Sequence, residues 1–151
     1  WGINPARIGI IGFSAGGHLA ANLSSHYDKR TYEAVDEADT VGMRPDFTML
    51  VYPAYLVGND DRLAPELAVT PNTPKTFLIQ AANDDVRVEN SLVYYGLLRR
   101  SRVPSEMHLY GEGGHGYGLR PTTDPITGWP SRAAEWLRHI GMLAPAVPSG
   151  K

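Results

Sequence analysis

Three stretches of this chain carry residue types that together can run nucleophilic catalysis. The run Gly12-Phe13-Ser14-Ala15-Gly16 fits the pattern G-x-S-x-G and follows directly on the apolar stretch Ile8-Gly9-Ile10-Ile11. In that pattern a strand turns sharply into a helix and lifts a serine hydroxyl into the open. Small residues flank the serine because the turn is strained and Cβ atoms there would collide with neighbouring backbone. A serine needs a base to become a nucleophile near neutral pH. The base in turn needs a carboxylate to hold its tautomer and stabilise the imidazolium.

The base is the easier choice. His115 lies in Gly111-Glu112-Gly113-Gly114-His115-Gly116, just after an apolar stretch ending at Tyr110, and the glycines let this loop wrap close to the serine. The other histidines have poorer settings: His18 and His26 in the helix after the serine, His108 within a strand, His139 in the last helix. For the acid, Asp84 and Asp85 both follow the stretch Thr76–Ala81 and both reach its C-terminal tip. In folds built on such an elbow the acid commonly falls three residues after a small residue ending its strand and two before an apolar one. By that rule Ala81 and Val86 pick out Asp84. Asp85 then reads as a flanking surface carboxylate and stays open as the alternative. Asp60 and Asp61 are weaker candidates in a Pro-rich loop with no strand immediately before them. The backbone N–H of Ala15, next after the nucleophile, is the expected oxyanion donor.

These residues need strands to carry them and helices to brace the strands. Ile8, Ile10 and Ile11 make a short buried strand over about 8–13, and the small, apolar run from Ala15 predicts a helix to about His26. Residues 27–44 mix charges without a period and read as a long surface excursion. It is either a lid or substrate wall, or a plain solvated loop. Strands follow at 47–52 and 76–81, with a Pro-punctuated loop between them. An amphipathic helix is expected over 89–100, with Val93 and Leu97 on one face and Tyr94 and Leu98 beside them. A strand at 106–110 and a helix over about 130–140 complete the pattern, the latter with Ala133, Trp136, Leu137 and Ile140 as its buried stripe. Alternating strands and helices imply an α/β fold around a mostly parallel sheet. Residues 1–143 read as part of one domain and 144–151 as a flexible tail.

Composition excludes several classes. A formal net charge of -2 gives no hint of nucleic acid or an anionic membrane as partner. Zero cysteines exclude a disulfide framework and a Cys-based zinc site. No apolar run approaches the ~18 residues of a membrane span. Repeats and low-complexity tracts do not occur.

The residues then carry a specific likeness. Arg7 to Ala20, Arg44-Pro45-Asp46-Phe47 with Tyr52-Pro53-Ala54-Tyr55, Glu89-Asn90-Ser91, and Gly113 to Pro121 resemble bacterial α/β-hydrolase esterases, in particular the acetyl-xylan-esterase-like group. The resemblance spans nearly the whole chain but only the C-terminal half or so of such a protein. It implies Ser14 as nucleophile, Asp84 as acid and His115 as general base, acting on small acyl esters, acetyl above all, plausibly of carbohydrates such as acetylated xylan. No cofactor or metal is implied, and export from the cytoplasm is common in the group. Tyr55 and Tyr117 are candidate aromatic faces for a sugar, with Trp129 a further one, whereas Trp136 belongs to the core. A second oxyanion donor normally comes from a Gly-rich loop after an early strand, and the 151 residues contain no such segment. The expectation is therefore an N-terminally truncated piece that is a weak catalyst alone, since one lost donor costs on the order of 10²–10³ in kcat. Two competing readings are a non-catalytic binding member and a lyase on the same scaffold.

Overall fold

The computed structural model describes residues 2–145. Most of the expected tail, 146–151, and Trp1 lie outside them. Four strands form one parallel sheet in sequential order: β1 Gly9–Phe13, β2 Phe47–Val51, β3 Lys75–Ala81 and β4 Ser105–Tyr110. Helix α1, Ala15–His26, links β1 to β2, and α2, Glu89–Arg100, links β3 to β4. Helix α3, Trp129–His139, closes the described chain. This is the α/β architecture around a parallel sheet that the alternation of strand and helix patterns implies, and it agrees with the α/β-hydrolase fold that the resemblance implies.

Side chains alternate across each strand, so one strand feeds two cores. Met49, Val51, Phe77, Ile79 and Ala81 pack with Ile126, Trp129, Ala133 and Trp136 on the α3 side. Leu50 and Leu78 pack on the other side with Ala20 and Ala21 of α1, and with Tyr94 and Leu98 of α2. Phe77 and Leu78 are adjacent in sequence, wholly buried, and in different cores. Trp136 lies edge-on to Phe47, with ring centroids 6.1 Å apart, and is a core residue as its position on the stripe requires.

Four details depart from the sequence reading. The first strand is not buried as expected: Ile8 and Ile11 are exposed, because β1 lies at the edge of the described sheet with only β2 beside it. The buried stripe of α2 is Asn90, Ser91, Tyr94 and Leu98, not Val93 and Leu97. The physical reason is polar. Asn90 Oδ1 accepts from the backbone N–H groups of Leu56 and Val57 at 2.7 and 3.1 Å, so the helix turns its amide inward to satisfy a buried loop. The excursion over 27–44 is organised rather than featureless. A 3₁₀ turn spans Glu37–Thr40, and Arg30 pairs with Asp39 at 2.8 Å. A second 3₁₀ turn, Pro125–Gly128, leads into α3 and buries Ile126.

Candidate active site

β1 is parallel to β2, so the chain leaving Phe13 must turn at once to start α1 on the sheet's face. Ser14 makes that turn with φ 51 and ψ -122, a conformation costing a non-glycine residue about 1–3 kcal/mol. Neighbours hold it there. Ser14 N–H donates to the Val51 carbonyl at 3.1 Å, and the Ser14 carbonyl accepts from Gly17 and Ala54 N–H at 2.8 and 3.0 Å. A Cβ on Gly12 would lie 2.0 Å from the Gly16 carbonyl oxygen, so only glycine fits. The second steric demand falls one residue later than the motif suggests. A Cβ on Gly17 would meet Pro53 Cβ at 2.7 Å, whereas one on Gly16 meets nothing within 4 Å among the described residues.

The other two candidates arrive from the same end of the sheet. Asp84 follows β3 and His115 follows β4, so both stand with Ser14 at the strands' carboxyl ends, where α/β sheets carry their sites. The loop bearing His115 takes positive φ at Gly113, Gly114, Gly116 and Gly118, a path closed to most side chains. Asn83 Oδ1 ties it down by accepting from Gly114 N–H at 2.9 Å.

Ser14 Oγ lies 2.8 Å from His115 Nε2. His115 Nδ1 lies 2.9 and 3.0 Å from the two carboxylate oxygens of Asp84. With a carboxylate against Nδ1, the ring proton sits on Nδ1 and Nε2 is left to accept from the serine hydroxyl. The Asp84 side chain is wholly buried while that of His115 is 27% exposed, so the carboxylate is shielded and the imidazole is reachable. Asp85 is exposed, and the imidazole bonds Asp84 instead. Asp61 pairs with Arg87, and Asp60 accepts from Arg62 N–H at 3.2 Å, both in the 53–74 loop. Elsewhere, His18 pairs with Glu66 at 2.7 Å, His26 bonds the Glu66 carbonyl, and His108 pairs with Glu106.

Ala15 opens α1, where helix geometry leaves backbone N–H groups without intrahelical acceptors. The Ala15 N–H is one of these groups. The aromatic candidates separate. Tyr55 is 68% exposed, at φ 61, and its face is open. Tyr117 is 6% exposed and donates to the Ile79 carbonyl at 3.3 Å, so in this structure it supports the site from beneath rather than presenting a face. Trp129 is likewise buried, its indole N–H donating to the Gly118 carbonyl at 2.8 Å.

Tyr52, which the sequence reading did not single out, packs edge-on against the His115 ring at 4.9 Å and against Tyr117 at 4.5 Å. Burial pushes both phenols above the usual tyrosine range, with the Asp84 charge acting in the same direction. Both phenols stay neutral beside the His115 imidazole. For Tyr52, its place in the Tyr52-Pro53-Ala54-Tyr55 run was the available hint. Among the described residues, no cluster of three or more His, Asp or Glu groups is placed to hold a metal ion, and no helix is long and apolar enough to cross a membrane.

Residues 2–140 match the prolyl oligopeptidase family. The chain belongs to that family. Within reach of this prolyl oligopeptidase family chain, an acetylxylan esterase of Xylanibacter ruminicola is 28% identical, across 100% of this chain and 33% of its own length. An endo-1,4-beta-xylanase B of Butyrivibrio fibrisolvens is 31% identical over 150 residues, 85% of this chain and 23% of its own. Among solved structures, an acetyl ester-xyloside bifunctional hydrolase from Caldicellulosiruptor lactoaceticus matches with a TM-score of 0.83 at 32% identity, covering 94% of this chain and 60% of that one. The chain spans about a third and a quarter of the two curated relatives and about three fifths of the solved one.

Proposed function

We propose that the protein carrying this chain is a serine carboxylic-ester hydrolase acting on small acyl esters, acetyl esters of carbohydrates such as acetylated xylan foremost. The observation that carries the reading is the unbroken hydrogen-bonded path from Ser14 through His115 to buried Asp84, at 2.8 and 2.9 Å. His115 Nε2 takes the hydroxyl proton as Ser14 Oγ attacks the acyl carbonyl. Asp84 holds the resulting imidazolium, and Ala15 N–H donates to the oxyanion. The tetrahedral intermediate collapses as His115 protonates the departing alcohol. Water, deprotonated by the same imidazole, then releases the acid and restores Ser14. Tyr55, exposed near the elbow, is the aromatic face proposed for the alcohol part. The acyl preference comes from relatives named for acetyl esters, not from a residue in this chain.

The family's name denotes peptide hydrolysis, and the same serine chemistry serves amides, so the test must separate bonds as well as confirm a nucleophile. In the whole protein, a fluorophosphonate should label Ser14, and acetate should be released from acetylated xylan faster than longer acids from matched esters. No adduct on Ser14 in folded protein would sink the hydrolase reading in favour of a binding member. Equal rates across acyl lengths would remove the acetyl preference. A proline-containing peptide amide turned over faster than any ester would make the protein a peptidase.

A further inference from the structure

Gln80 is an amide set inside an apolar strand. It shares the α1–α2 side of β3 with Leu78, and its side chain is fully buried. Burying an amide without partners costs on the order of 1–3 kcal/mol per unsatisfied group, so its placement calls for an account. Every polar atom has a partner. Gln80 Nε2 donates to the Val86 carbonyl at 2.9 Å and to Asp84 Oδ2 at 3.3 Å. Gln80 Oε1 accepts from Ser91 Oγ at 2.5 Å. Two acceptors on one side and a hydroxyl on the other fix which end of the amide is nitrogen.

The consequence appears at Asp84. Its Oδ1 accepts from Val86 N–H at 2.7 Å and its Oδ2 from Gln80. One donor on each oxygen stops the carboxylate rotating about its Cβ–Cγ bond and keeps both oxygens on His115 Nδ1. Ser91, in the first turn of α2, stops the Gln80 amide from flipping. The path Ser91, Gln80, Asp84, His115, Ser14 therefore runs from a helix turn to the nucleophile. We propose that Gln80, locked by Ser91, is a positioning residue that sets the orientation of the Asp84 carboxylate toward His115. The inference rests on the triad reading given above. A plain packing role would instead leave turnover per folded molecule unchanged.

The test uses the whole protein with p-nitrophenyl acetate, reading kcat, KM and thermal stability separately. Gln80→Leu should lower kcat by about 10- to 100-fold, the loss expected when a reacting group is misplaced. KM should stay within about twofold, because the acyl site is untouched. Ser91→Ala should move kcat in the same direction by less. In an Asp84→Asn background, Gln80→Leu should change kcat by less than about threefold, since the carboxylate it orients is gone. A folded Gln80→Leu protein with unchanged kcat would overturn the proposal. So would an equal fold-loss in both backgrounds, which marks a general structural effect. Should Gln80→Leu fail to fold, Ser91→Ala decides alone, and unchanged kcat there overturns it. An Asp84→Asn protein with full activity would overturn the triad reading itself, a result distinguishable from loss of the coupling.

Discussion

Ser14→Ala is expected to lower kcat for an acetyl ester by about 10⁴- to 10⁶-fold, and His115→Ala by a similar factor. The two groups act as one device. Without the hydroxyl there is nothing for the imidazole to deprotonate, and without the imidazole the hydroxyl stays protonated near neutral pH. The double variant should therefore be little worse than either single one, since the losses do not add. Even the lower figure corresponds to about 5 kcal/mol of lost transition-state stabilisation. Stability should not follow. Ser14 is strained at φ 51 and His115 sits on a half-exposed loop, so neither anchors a core. Circular dichroism and thermal melting beside ester turnover and fluorophosphonate labelling check both halves. A folded Ser14→Ala protein within tenfold of the parent would exclude serine catalysis.

The second large effect separates two adjacent carboxylates. Asp84→Asn should lower kcat by about 10⁴-fold, while Asp85→Asn should stay within about twofold, as an exposed side chain away from any partner would. The asymmetry follows from hydrogen-bond sense. Asp84 faces donors on every side: Val86 N–H, Gln80 Nε2 and His115 Nδ1. A carboxamide must turn its own NH₂ toward one of them. If it faces His115, the ring proton moves to Nε2, which then points a hydrogen at Ser14 where a lone pair is needed. A reversed ranking in steady-state kinetics would make Asp85 the acid.

The strands were legible because a parallel sheet covered on both faces leaves little room for polar residues, and Phe47 to Val51 and Thr76 to Ala81 read accordingly. The elbow was legible because local geometry leaves room only for glycine at Gly12, while a serine held at positive φ is tolerated at Ser14 despite its cost. His115 was legible through its glycines. Asp84 against Asp85 was only partly so, since adjacent residues share a loop and differ in direction, which no pattern reports. Asn83, Ser91 and Tyr52 were missed for a further reason, since each touches a neighbour distant in sequence, and Gln80 was missed although it bonds Asp84 only four positions on. An amide inside an apolar strand was nonetheless a signal. Gln80 between Ile79 and Ala81 required a buried partner, and the nearest strand-end carboxylate was the place to seek one.

The sheet's order has a consequence for how the molecule forms. β1, β2, β3 and β4 lie side by side in the order of synthesis, so each new strand joins the edge its predecessor left. Each pairing nonetheless closes a long connection, from Gly9 to Phe47, Phe47 to Lys75 and Thr76 to Ser105, and such non-local parallel pairings form slowly. The hydrogen bond between Ser14 and His115 is different in kind, since it joins residues 101 positions apart. It waits until all four strands are in register and the last loop has docked. In a refolding experiment, helical and strand signals should return before phosphonate reactivity at Ser14. Reactivity that recovered first would mean the loop docks without the sheet. Chemical competence would then serve as a clock hand for the final event of folding.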